Sequence, residues 1–405
     1  MSATVLLGIT GGIAAYKTPS LVRLLVQAQM NVNIVMTRSA THFVTPLALA
    51  TVSGRPVWED MWGERSRPSV EHISLADSAD IAVIAPATAN TIGKMACGIA
   101  DNMLTTVIMA VQCPVLICPS MNVNMLHSPV VQENLRRLAD RGFRIMAPES
   151  GFLACGWTGE GRMPDPEAIF EQITLMMAPR DCEGLKVLVT AGPTEEPLDP
   201  VRFLTNRSSG KMGVAIARRA AARGADVTLI AGPLAVVPPA GVRHVSVRTA
   251  QEMHDRVMEA FPEADVVIKA AAVSDFRQIT PSVVKTKKED VSLALELVRN
   301  PDILAALGKI KRVDQLLVGF AAETHDVLEH GRDKLRKKNL DMLVLNDVSQ
   351  AGAGFDYDTN IVRFLHRSGE EEHFEIMPKG DVADLILDRV LRMKQRPIAE
   401  RPQPR

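Results

Sequence analysis

Short apolar runs alternate with amphipathic segments along the first half of the chain. Consecutive apolar positions are typical of strands covered by helices on both faces, and Leu21, Leu24 and Leu25 have the spacing of one helix face. The apolar runs predict strands at Val5–Ile9, Val32–Met36, Ile81–Ala85, Val115–Cys118 and Phe143–Ala147. The pattern therefore indicates an open, mostly parallel sheet with helices on both faces.

The same alternation begins again near residue 186, after the sequence APRDCEGL. Proline, glycine and charged residues interrupt the periodicity there, so residues 179–185 are predicted to form a linker. Later elements are predicted at Lys186–Thr190, Met212–Arg223 (a helix), Val227–Ala231, Asp265–Lys269, Leu316–Gly319, Met342–Leu345 and the antiparallel pair Asn360–Leu365 and Glu372–Met377, followed by a helix from Asp381. The predicted fold class is α/β, with two tandem Rossmann-like domains at 1–178 and 186–395 and a disordered tail at 396–405.

The composition is that of a globular protein with two cores. A chain of 405 residues exceeds one ordinary domain, and 46% hydrophobic with 23% charged residues is usual for folded proteins. The net charge of −1 gives no reason to expect nucleic acid or an anionic membrane as a partner. The N-terminus MSATVLLGITGG lacks a basic segment and a cleavage site, and no apolar run reaches the roughly 18 residues of a spanning helix. We therefore expect a cytoplasmic protein.

The spacing of the cysteines does not indicate a disulfide framework. There are five of them, Cys97, Cys113, Cys118, Cys155 and Cys182, and an odd, sparse set is typical of reduced thiols. Cys113 and Cys118 flank a short apolar run and are expected to be buried at strand ends, without a zinc site.

In the first half, the segments after the predicted strands carry small and polar residues. Ligands bind beyond the carboxyl ends of parallel strands. The sequence GITGGIAAYK (residues 8–17) suits either a phosphate held by backbone amides or a plain tight turn. Thr37 and Ser39 are candidate phosphate donors. Thr88 and Asn90 have groups that can hold a heterocycle, and Asn122 can bind an amide or a carboxylate. His72 is either structural or catalytic.

These stretches together resemble the flavin-containing cysteine decarboxylase family. The matching sequences are GITGGIAAYK, HISLA, APATANTIGKMACGIADNML, PSMNVNM and GFLACGWTGEGRM, over residues 1–175. Ser120 and Leu126 stand where the family usually has alanine and tryptophan. The resemblance implies 4′-phosphopantothenoylcysteine as the substrate, an acid–base or orienting role for His72, a substrate contact for Asn122, and a trimer interface at the site. It also implies FMN bound by Gly11, Gly12, Ile13, Ser39, Thr88 and Asn90.

The resemblance also gives the thiol of Cys155 a role. A cysteine carboxylate does not lose carbon dioxide readily, because the resulting carbanion has no electron sink, and a flavin supplies one by oxidising the carbon that bears sulfur. Glycines allow residues 150–163 to act as a flap over the substrate, and Arg162 is expected to pair with an anionic group of the ligand. Cys155 is implied as the acid that protonates the enethiolate product.

The second half has its own candidate ligand-binding loops. Ser208, Ser209 and Gly210 precede a helix, which suits either phosphate or carboxylate binding or a simple helix cap. The sequence KAAAVSDF (residues 269–276) permits close approach of a base or ribose, with Asp275 as an acceptor. Two basic stretches, VVKTKK and RDKLRKKNLD, are either solvated surfaces or a triphosphate site. Lys334 and Lys338 share one helix face.

With NPDI and GFAAET, these loops resemble phosphopantothenate–cysteine ligase over residues 186–350, and the order of the two halves matches the fused enzymes of bacterial coenzyme A synthesis. The resemblance implies attack of 4′-phosphopantothenate on CTP, an acyl-cytidylate handled by Asn206, and displacement of CMP by cysteine. Lys285 is the implied activation lysine. The implied CTP residues are Lys269, Ala270, Ala271, Asp275, Lys285, Asn300, Pro301, Asp302, Ile303, Phe320, Lys334 and Lys338.

The resemblance further implies Mg²⁺ or a similar cation, held mainly on phosphate oxygens and with no protein ligand assigned. It also implies trimeric decarboxylase units and dimeric ligase units, which combine into a dodecamer. Two other functions stay open at this point: a flavin-binding regulatory subunit, and an ordinary nucleotide-dependent oxidoreductase. The absence of a G-x-G-x-x-G sequence disfavours the oxidoreductase.

Overall fold

The computed structural model describes residues 2–62, 71–152, 156–285, 295–323, 327–347, 354 and 357–395. The chain divides into two compact units, Met1–Met177 and Ala178–Arg405. The domain boundaries and the linker proposed from the sequence stay predictions, and the predicted tail at 396–405 lies outside the described residues.

The first unit is built on a six-stranded parallel sheet. Its strands and those of a separate hairpin are β1 (Thr4–Ile9), β2 (Asn31–Met36), β3 (Val57–Trp58), β4 (Ile81–Ala87), β5 (Val115–Pro119), β6 (Arg144–Ile145), β7 (Glu149–Phe152) and β8 (Thr158–Arg162). Its helices are α1 (Thr18–Gln27), α2 (Pro46–Ser53), α3 (Glu71–Asp77), α4 (Ala89–Cys97), α5 (Met103–Ala110), α6 (Val123–Leu126), α7 (Pro129–Asp140) and α8 (Pro166–Met176), with 3₁₀ turns at Ile13–Lys17 and Arg38–His42.

The strand order in this sheet is β3-β2-β1-β4-β5-β6, and all neighbours are parallel. Both faces of the central strands are buried, which is why their sequences are apolar at consecutive positions. Val5 and Leu7 pack into one core layer, while Leu6 packs into the layer on the opposite face. The order reverses between β1 and β4, and this point is where open α/β sheets bind ligands.

The second unit repeats this architecture with two added antiparallel strands. Its strands are β9 (Lys186–Ala191), β10 (Glu195–Pro197), β11 (Phe203–Thr205), β12 (Asp226–Ala231), β13 (Arg243–Ser246), β14 (Val266–Lys269), β15 (Phe276–Gln278), β16 (Leu297–Arg299), β17 (Leu316–Glu323), β18 (Met342–Asp347), β19 (Thr359–His366) and β20 (Glu371–Pro378). Its helices are α9 (Lys211–Ala222), α10 (Ala250–Ala260), α11 (Ile303–Ile310), α12 (Val327–Lys337) and α13 (Lys379–Gln395), with a 3₁₀ turn at Phe261–Glu263.

The order in the large second sheet is β13-β12-β9-β14-β17-β18-β19-β20. Strands up to β18 are parallel, whereas β19 and β20 are antiparallel, and β20 ends the sheet in the part of the chain that the structure describes. Val187 and Val189 face one core layer and Leu188 faces the other. The predicted fold class, two open Rossmann-like sheets in tandem, is confirmed.

Two local predictions need correction. The strand predicted at Phe143–Ala147 is only the two-residue β6, because the Phe143 amide donates to the Leu138 carbonyl and closes the end of α7. Cys113 is half-buried and precedes β5 by two residues, whereas Cys118 is fully buried, and burial raises the pKa of both thiols.

An ionic cluster around a buried arginine connects the start of the second unit to its helices. The guanidinium of Arg223, on the residue that follows α9, is only 4% exposed and bonds both carboxylate oxygens of Asp181 at 2.8 Å. Its Nη2 also lies 2.8 Å from Asp388 on α13. The amide of Cys182 donates to the Arg223 carbonyl at 3.0 Å. Residues 181 and 182, within the predicted linker, therefore pack against the second unit.

Candidate active sites

A cavity of about 550 Å³ opens at the strand-order reversal of the first sheet. Its wall comes from the loops after β1, β4 and β5 and from the hairpin β7–β8. The lining residues are Gly11, Gly12, Ile13, Ala14, Tyr16, Lys17, Thr88, Ala89, Ser120, Met121, Asn122, Met125, Gly161, Arg162 and Met163.

The glycine turn after β1 is held in place by a buried threonine. The Thr10 hydroxyl donates to the Pro86 carbonyl at 2.7 Å and accepts from the Thr88 amide at 3.0 Å, which joins the ends of β1 and β4. A Cβ at Gly11 would lie 2.3 Å from Cβ of Ser39, so only glycine fits there. A Cβ at Gly12 would meet nothing closer than 3.5 Å. The backbone at Gly12 is thus approachable, as a phosphate site requires.

The predicted flavin and catalytic residues fall into three groups. Gly11, Gly12, Ile13, Thr88 and Asn122 share the cavity wall. Among the described residues, that wall does not include Ser39, Asn90 or His72: Ser39 packs behind Gly11, Asn90 is exposed in the first turn of α4, and His72 is half-buried on α3. Cys155 lies outside the described residues.

Asn122 and Leu126 occupy the short segment after β5. The side-chain oxygen of Asn122 accepts from the Asn124 amide at 2.8 Å and caps α6. Leu126, where the decarboxylase family usually has tryptophan, is 3% exposed and packs into the unit. The segment therefore presents Asn122 to the cavity from a locally fixed backbone.

The predicted flap is a β-hairpin whose base is tightly held. Gly161 has φ of +139°, and a Cβ there would lie 2.1 Å from the Met121 carbonyl oxygen. The Met121 amide donates to the Gly161 carbonyl at 3.0 Å. Arg162, for which a contact with a ligand stays a prediction, bonds Asp165 at 3.0 Å, and Lys17 bonds the same carboxylate at 2.6 Å. These two cations, Lys17 foremost, lower the pKa of Asp165.

A second cavity, of about 430 Å³, opens at the reversal point of the second sheet, between β9 and β14. The residues that line it are Asn206, Arg207, Ser208, Ser209, Gly210, Lys211, Met212, Gly213, Lys269, Ala270, Ala271, Ala272, Val273, Asp275, Phe320, Ala321, Asn346, Gly354, Asn360 and Lys379. The set includes nine residues singled out from the sequence: Asn206, Ser208, Ser209, Gly210, Lys269, Ala270, Ala271, Asp275 and Phe320. The Asn206 side chain donates to the Val273 carbonyl at 3.0 Å, which connects the loops that follow β11 and β14.

Other predicted CTP residues lie behind the wall of this cavity. The Asn300 side chain donates to the Ser274 carbonyl at 2.8 Å and accepts from Arg277 at 3.0 Å, so it fixes the loop after β14. Asp302 caps α11 through the Ala305 amide at 3.1 Å and forms an ion pair with Lys338 at 2.8 Å.

The remaining predicted CTP residues differ in exposure. Ile303 is 2% exposed within the core, which leaves only its backbone for a ligand. Pro301 and Lys334 are half-buried, and Lys285 is exposed.

Three polar residues on the cavity wall were missed by the sequence reasoning. Asn346, Asn360 and Lys379 are all nearly buried, and within the described part of the chain the side-chain oxygens of both asparagines have no hydrogen-bond partner. Asn346 directly follows the predicted parallel strand Met342–Leu345, and this position is a signal of a ligand site that the sequence contains. Asn360 lies on an antiparallel strand, and Lys379 begins a helix, where no comparable rule applies. Lys379 donates to the carbonyls of Gly354 and Tyr357.

Within the described ranges, no group of three His, Cys, Asp or Glu side chains is arranged to hold a metal ion. In the same ranges, no helix combines the length and hydropathy that a membrane crossing requires.

Comparisons with known proteins cover both units. Residues 1–177 match the Flavoprotein family, and residues 182–393 match the family described as DNA/pantothenate metabolism flavoprotein C-terminal domain. One similar solved structure is the C-terminal domain of a "Coenzyme A biosynthesis bifunctional protein CoaBC", with 44% identity, 52% of this chain and 98% of that chain covered, and a TM-score of 0.45.

Full-length relatives are also similar to the chain. It is 46% identical over 390 residues to the "Coenzyme A biosynthesis bifunctional protein CoaBC" of Bacillus subtilis (strain 168), with 95% of this chain and 96% of the relative covered. The protein of the same name from Vibrio cholerae serotype O1 is 45% identical, with 90% and 92% covered. The chain therefore belongs to the family of coenzyme A biosynthesis bifunctional proteins, with a flavoprotein domain followed by a pantothenate-metabolism domain.

Proposed function

We propose that the chain carries out two consecutive steps of coenzyme A biosynthesis. The second unit couples 4′-phosphopantothenate to cysteine with CTP, and the first unit decarboxylates the 4′-phosphopantothenoylcysteine to 4′-phosphopantetheine. The observation that carries this proposal is family membership along 95% of the chain. Each sheet has a cavity at its strand-order reversal, which supports a separate active site for each reaction.

For the first unit, we propose FMN as the flavin. Gly11, Gly12 and Ile13 would hold its phosphate with backbone amides, assisted by Ser39, while Thr88 and Asn90 would bind the remainder of the cofactor. The open approach to Gly12 and the polar end of β4 support this assignment. Bound FMN would supply the temporary electron acceptor that the cysteine moiety lacks.

The catalytic residues of the first unit are Asn122, His72 and Cys155 in this proposal. Asn122 would orient the carboxylate or amide of the substrate from the cavity wall. Cys155 would deliver a proton to the enethiolate, and His72 would act as an acid–base or orienting group. His72 is not among the described lining residues of its own cavity, which supports a trimer in which a second copy completes the site.

For the second unit, we propose that Lys269, Ala270, Ala271, Asp275 and Phe320 contact CTP from the cavity wall. Lys334 and Lys338 would add positive charge, and Lys285 would serve the activation step. Asn300, Pro301, Asp302 and Ile303 would shape the nucleotide site, Ile303 through its backbone alone. Asn206 would bind the acyl-cytidylate until the amine of cysteine displaces CMP.

The divalent cation would sit mainly on phosphate oxygens of CTP. We further propose that the protein is cytoplasmic and that trimeric and dimeric contacts combine into a dodecamer, which a mass measurement in solution tests directly. The proposed partners are small molecules, and neither nucleic acid nor a membrane is among them.

A coupled assay tests both reactions on one sample. Purified protein should be yellow, and with 4′-phosphopantothenate, cysteine, CTP and Mg²⁺ it should release pyrophosphate first and carbon dioxide second. Omission of cysteine should leave pyrophosphate release without carbon dioxide. Carbon dioxide release from flavin-free protein would contradict the first-unit assignment, and equal rates with ATP would contradict the assignment of CTP. Flavin binding with neither product would favour a regulatory subunit.

A further inference from the structure

Asp165 connects three segments that surround the first cavity. It lies between β8 and α8, and its Oδ1 atom accepts from the ammonium of Lys17 at 2.6 Å and from the guanidinium of Arg162 at 3.0 Å. Its backbone amide donates to the carboxylate of Glu149, the first residue of the hairpin β7–β8, at 3.1 Å. Lys17 and Arg162 line the cavity, whereas Asp165 is not among the described lining residues. Asp165 therefore acts on the cavity through the two cations.

The carboxylate of Asp165 faces these cations although the residue directly precedes a helix. An aspartate at this position ordinarily accepts from an amide of the first helical turn, which stabilises the helix by about 1 kcal/mol. Among the described residues, the side chain of Asp165 makes no such bond at the start of α8. Its backbone has the extended conformation of a cap, with φ −66° and ψ 149°, so the difference lies in the side chain alone. The carboxylate thus bonds Lys17 and Arg162 in place of the helix end.

The backbone around Asp165 is fixed by the core beneath it. Met163 and Ile169 are fully buried, in the same core layer as Ala15 of the 3₁₀ turn that ends at Lys17. The two cations, by contrast, have long side chains, and each costs up to about 2 kcal/mol of rotamer entropy to restrain. A fixed carboxylate that bonds both of them restrains them before a ligand arrives, which reduces the entropy cost of binding that ligand.

These cations are also suited to the charge of the proposed substrate. Lys17 and Arg162 are the cationic side chains among the described lining residues, and none of those residues is acidic. The substrate carries a carboxylate and a phosphate, whereas Asn122 supplies only a neutral amide. Arg162 ends β8 of the flap hairpin, and Lys17 ends the turn that follows the glycines. Asp165 therefore connects the flap side of the cavity wall to the glycine-turn side.

We infer that Asp165 is a positioning residue, which holds the ammonium of Lys17 and the guanidinium of Arg162 side by side so that both bind one anionic group of the substrate. This inference rests on the proposed function for the identity of the substrate. Loss of a carboxylate that positions the cations weakens substrate binding, whereas loss of one that only neutralises them strengthens it. An effect limited to binding raises KM and leaves kcat unchanged.

Steady-state kinetics of the full-length, flavin-loaded protein with isolated 4′-phosphopantothenoylcysteine tests the inference. Asp165→Asn keeps the size of the side chain and removes its charge, so KM should rise about tenfold while kcat stays within about twofold of wild type. Asp165→Glu restores a carboxylate and should bring KM to within about threefold of wild type. Bound flavin per chain, measured by visible absorbance, should be the same in all three proteins.

Glu133→Gln is the matched control. Glu133 pairs with Arg137 on α7 and is 53% exposed, close to the 49% of Asp165, so the same charge is removed from the same unit away from the described cavity wall. Its KM should stay within about twofold of wild type. Dephosphorylated substrate then identifies the bound group. The KM ratio of Asp165→Asn to wild type should stay near tenfold if the cations bind the carboxylate, and should fall to about one if they bind the phosphate.

A KM that is unchanged or lower in Asp165→Asn would overturn the inference, as would an equal rise in Glu133→Gln. A lower kcat or a loss of bound flavin in Asp165→Asn would also overturn it, because either result indicates a merely structural role. Absence of decarboxylation by the flavin-loaded wild-type protein would instead overturn the proposed function of the first unit.

Discussion

Gly161 is a residue of the flap hairpin that contacts the backbone of Met121, whose amide donates to the Gly161 carbonyl at 3.0 Å. We predict that Gly161→Ala displaces the flap hairpin from its position, because the Cβ of the alanine would lie 2.1 Å from the Met121 carbonyl oxygen. Misplacement of the flap should lower carbon dioxide release by at least about tenfold. Pyrophosphate release, a reaction of the second unit, should stay within about twofold of wild type, because substitutions at independent sites have additive effects.

Gly142→Ala is the matched control. Gly142 also has positive φ, +89°, but a Cβ there would meet nothing within 4 Å. This variant carries the backbone strain of an alanine in the left-handed region without a collision. Equal loss of carbon dioxide release in both variants would show that strain, and not the contact with Met121, is responsible.

Arg223 carries a prediction about stability. We expect Arg223→Met to destabilise the second unit by about 2 kcal/mol, because it removes a nearly buried guanidinium from the carboxylates of Asp181 and Asp388, which are 40% and 43% exposed and so keep part of their hydration. Arg223, through its hydrogen bond, lowers the pKa of Asp181. The contribution of that pair is therefore present above the ordinary pKa of aspartate and is lost as the pH falls through the lowered value.

Urea unfolding, followed by circular dichroism, measures the free energy of unfolding of the Arg223 variant. Arg256→Met provides the comparison, because Arg256 forms an exposed pair with Glu259 at 2.9 Å and should cost less than about 1 kcal/mol. If both variants lose a similar free energy of unfolding, the ionic cluster around Arg223 stabilises the protein no more than an exposed ion pair does.

At the residue scale, site residues that directly follow a parallel strand could be predicted from the sequence. Gly11, Thr88 and Asn122 follow β1, β4 and β5, and the topology brings all three to one cavity wall. Asn360 and Lys379 could not be found in this way, because their place in the second cavity depends on how β19 and α13 pack. His72 is a different case, because it is not among the described residues that line the first cavity.

At the scale of elements, burial decides which strands a sequence reveals. All seven residues of β4 are buried, and such a continuous apolar run is readily recognised. The hairpins β10–β11 and β15–β16 have three residues per strand and exposed apolar side chains such as Phe203 and Phe276. Strands this short have no measurable alternation, so they were not predicted.

Helix α10 offers a test of an element boundary. The Thr249 hydroxyl accepts from the Glu252 amide at 3.1 Å, and the Glu252 carboxylate accepts from the Thr249 amide at 3.4 Å. Loss of this capping box in Thr249→Ala should cost the second unit about 1 kcal/mol. Gln251→Ala, which removes only an exposed contact with Asp255, should cost less than about 0.5 kcal/mol in the same urea titration. Equal costs would argue against the cap.

At the scale of the whole molecule, the distribution of tryptophan makes the two units separately observable. All three tryptophans, Trp58, Trp62 and Trp157, belong to the first unit. Each unit has its own core, so we predict that the protein unfolds in more than one step. Tryptophan fluorescence should follow the first unit alone, while circular dichroism follows both.

Each ligand should raise the unfolding temperature of only the unit that binds it. Removal of flavin should lower the temperature of the fluorescence transition, whereas CTP at about 100 times its Kd should stabilise the second unit by about 2.7 kcal/mol. A scan that records fluorescence and circular dichroism together measures both shifts. Coincident transitions that respond equally to both ligands would contradict the assignment of one site to each unit.

Strand β20 is a candidate surface for self-association of the protein at high concentration. A strand that ends a sheet offers unpaired backbone groups to a neighbouring molecule, and proteins discourage such pairing with charge and proline. Within its eight residues β20 has Glu371, Glu372 and Glu375, and it ends at Pro378. On the same strand Ile376 is 51% exposed, so the charged side chains flank an apolar one. Self-association through strand pairing should therefore begin at this edge once substitutions remove the charge of these glutamates.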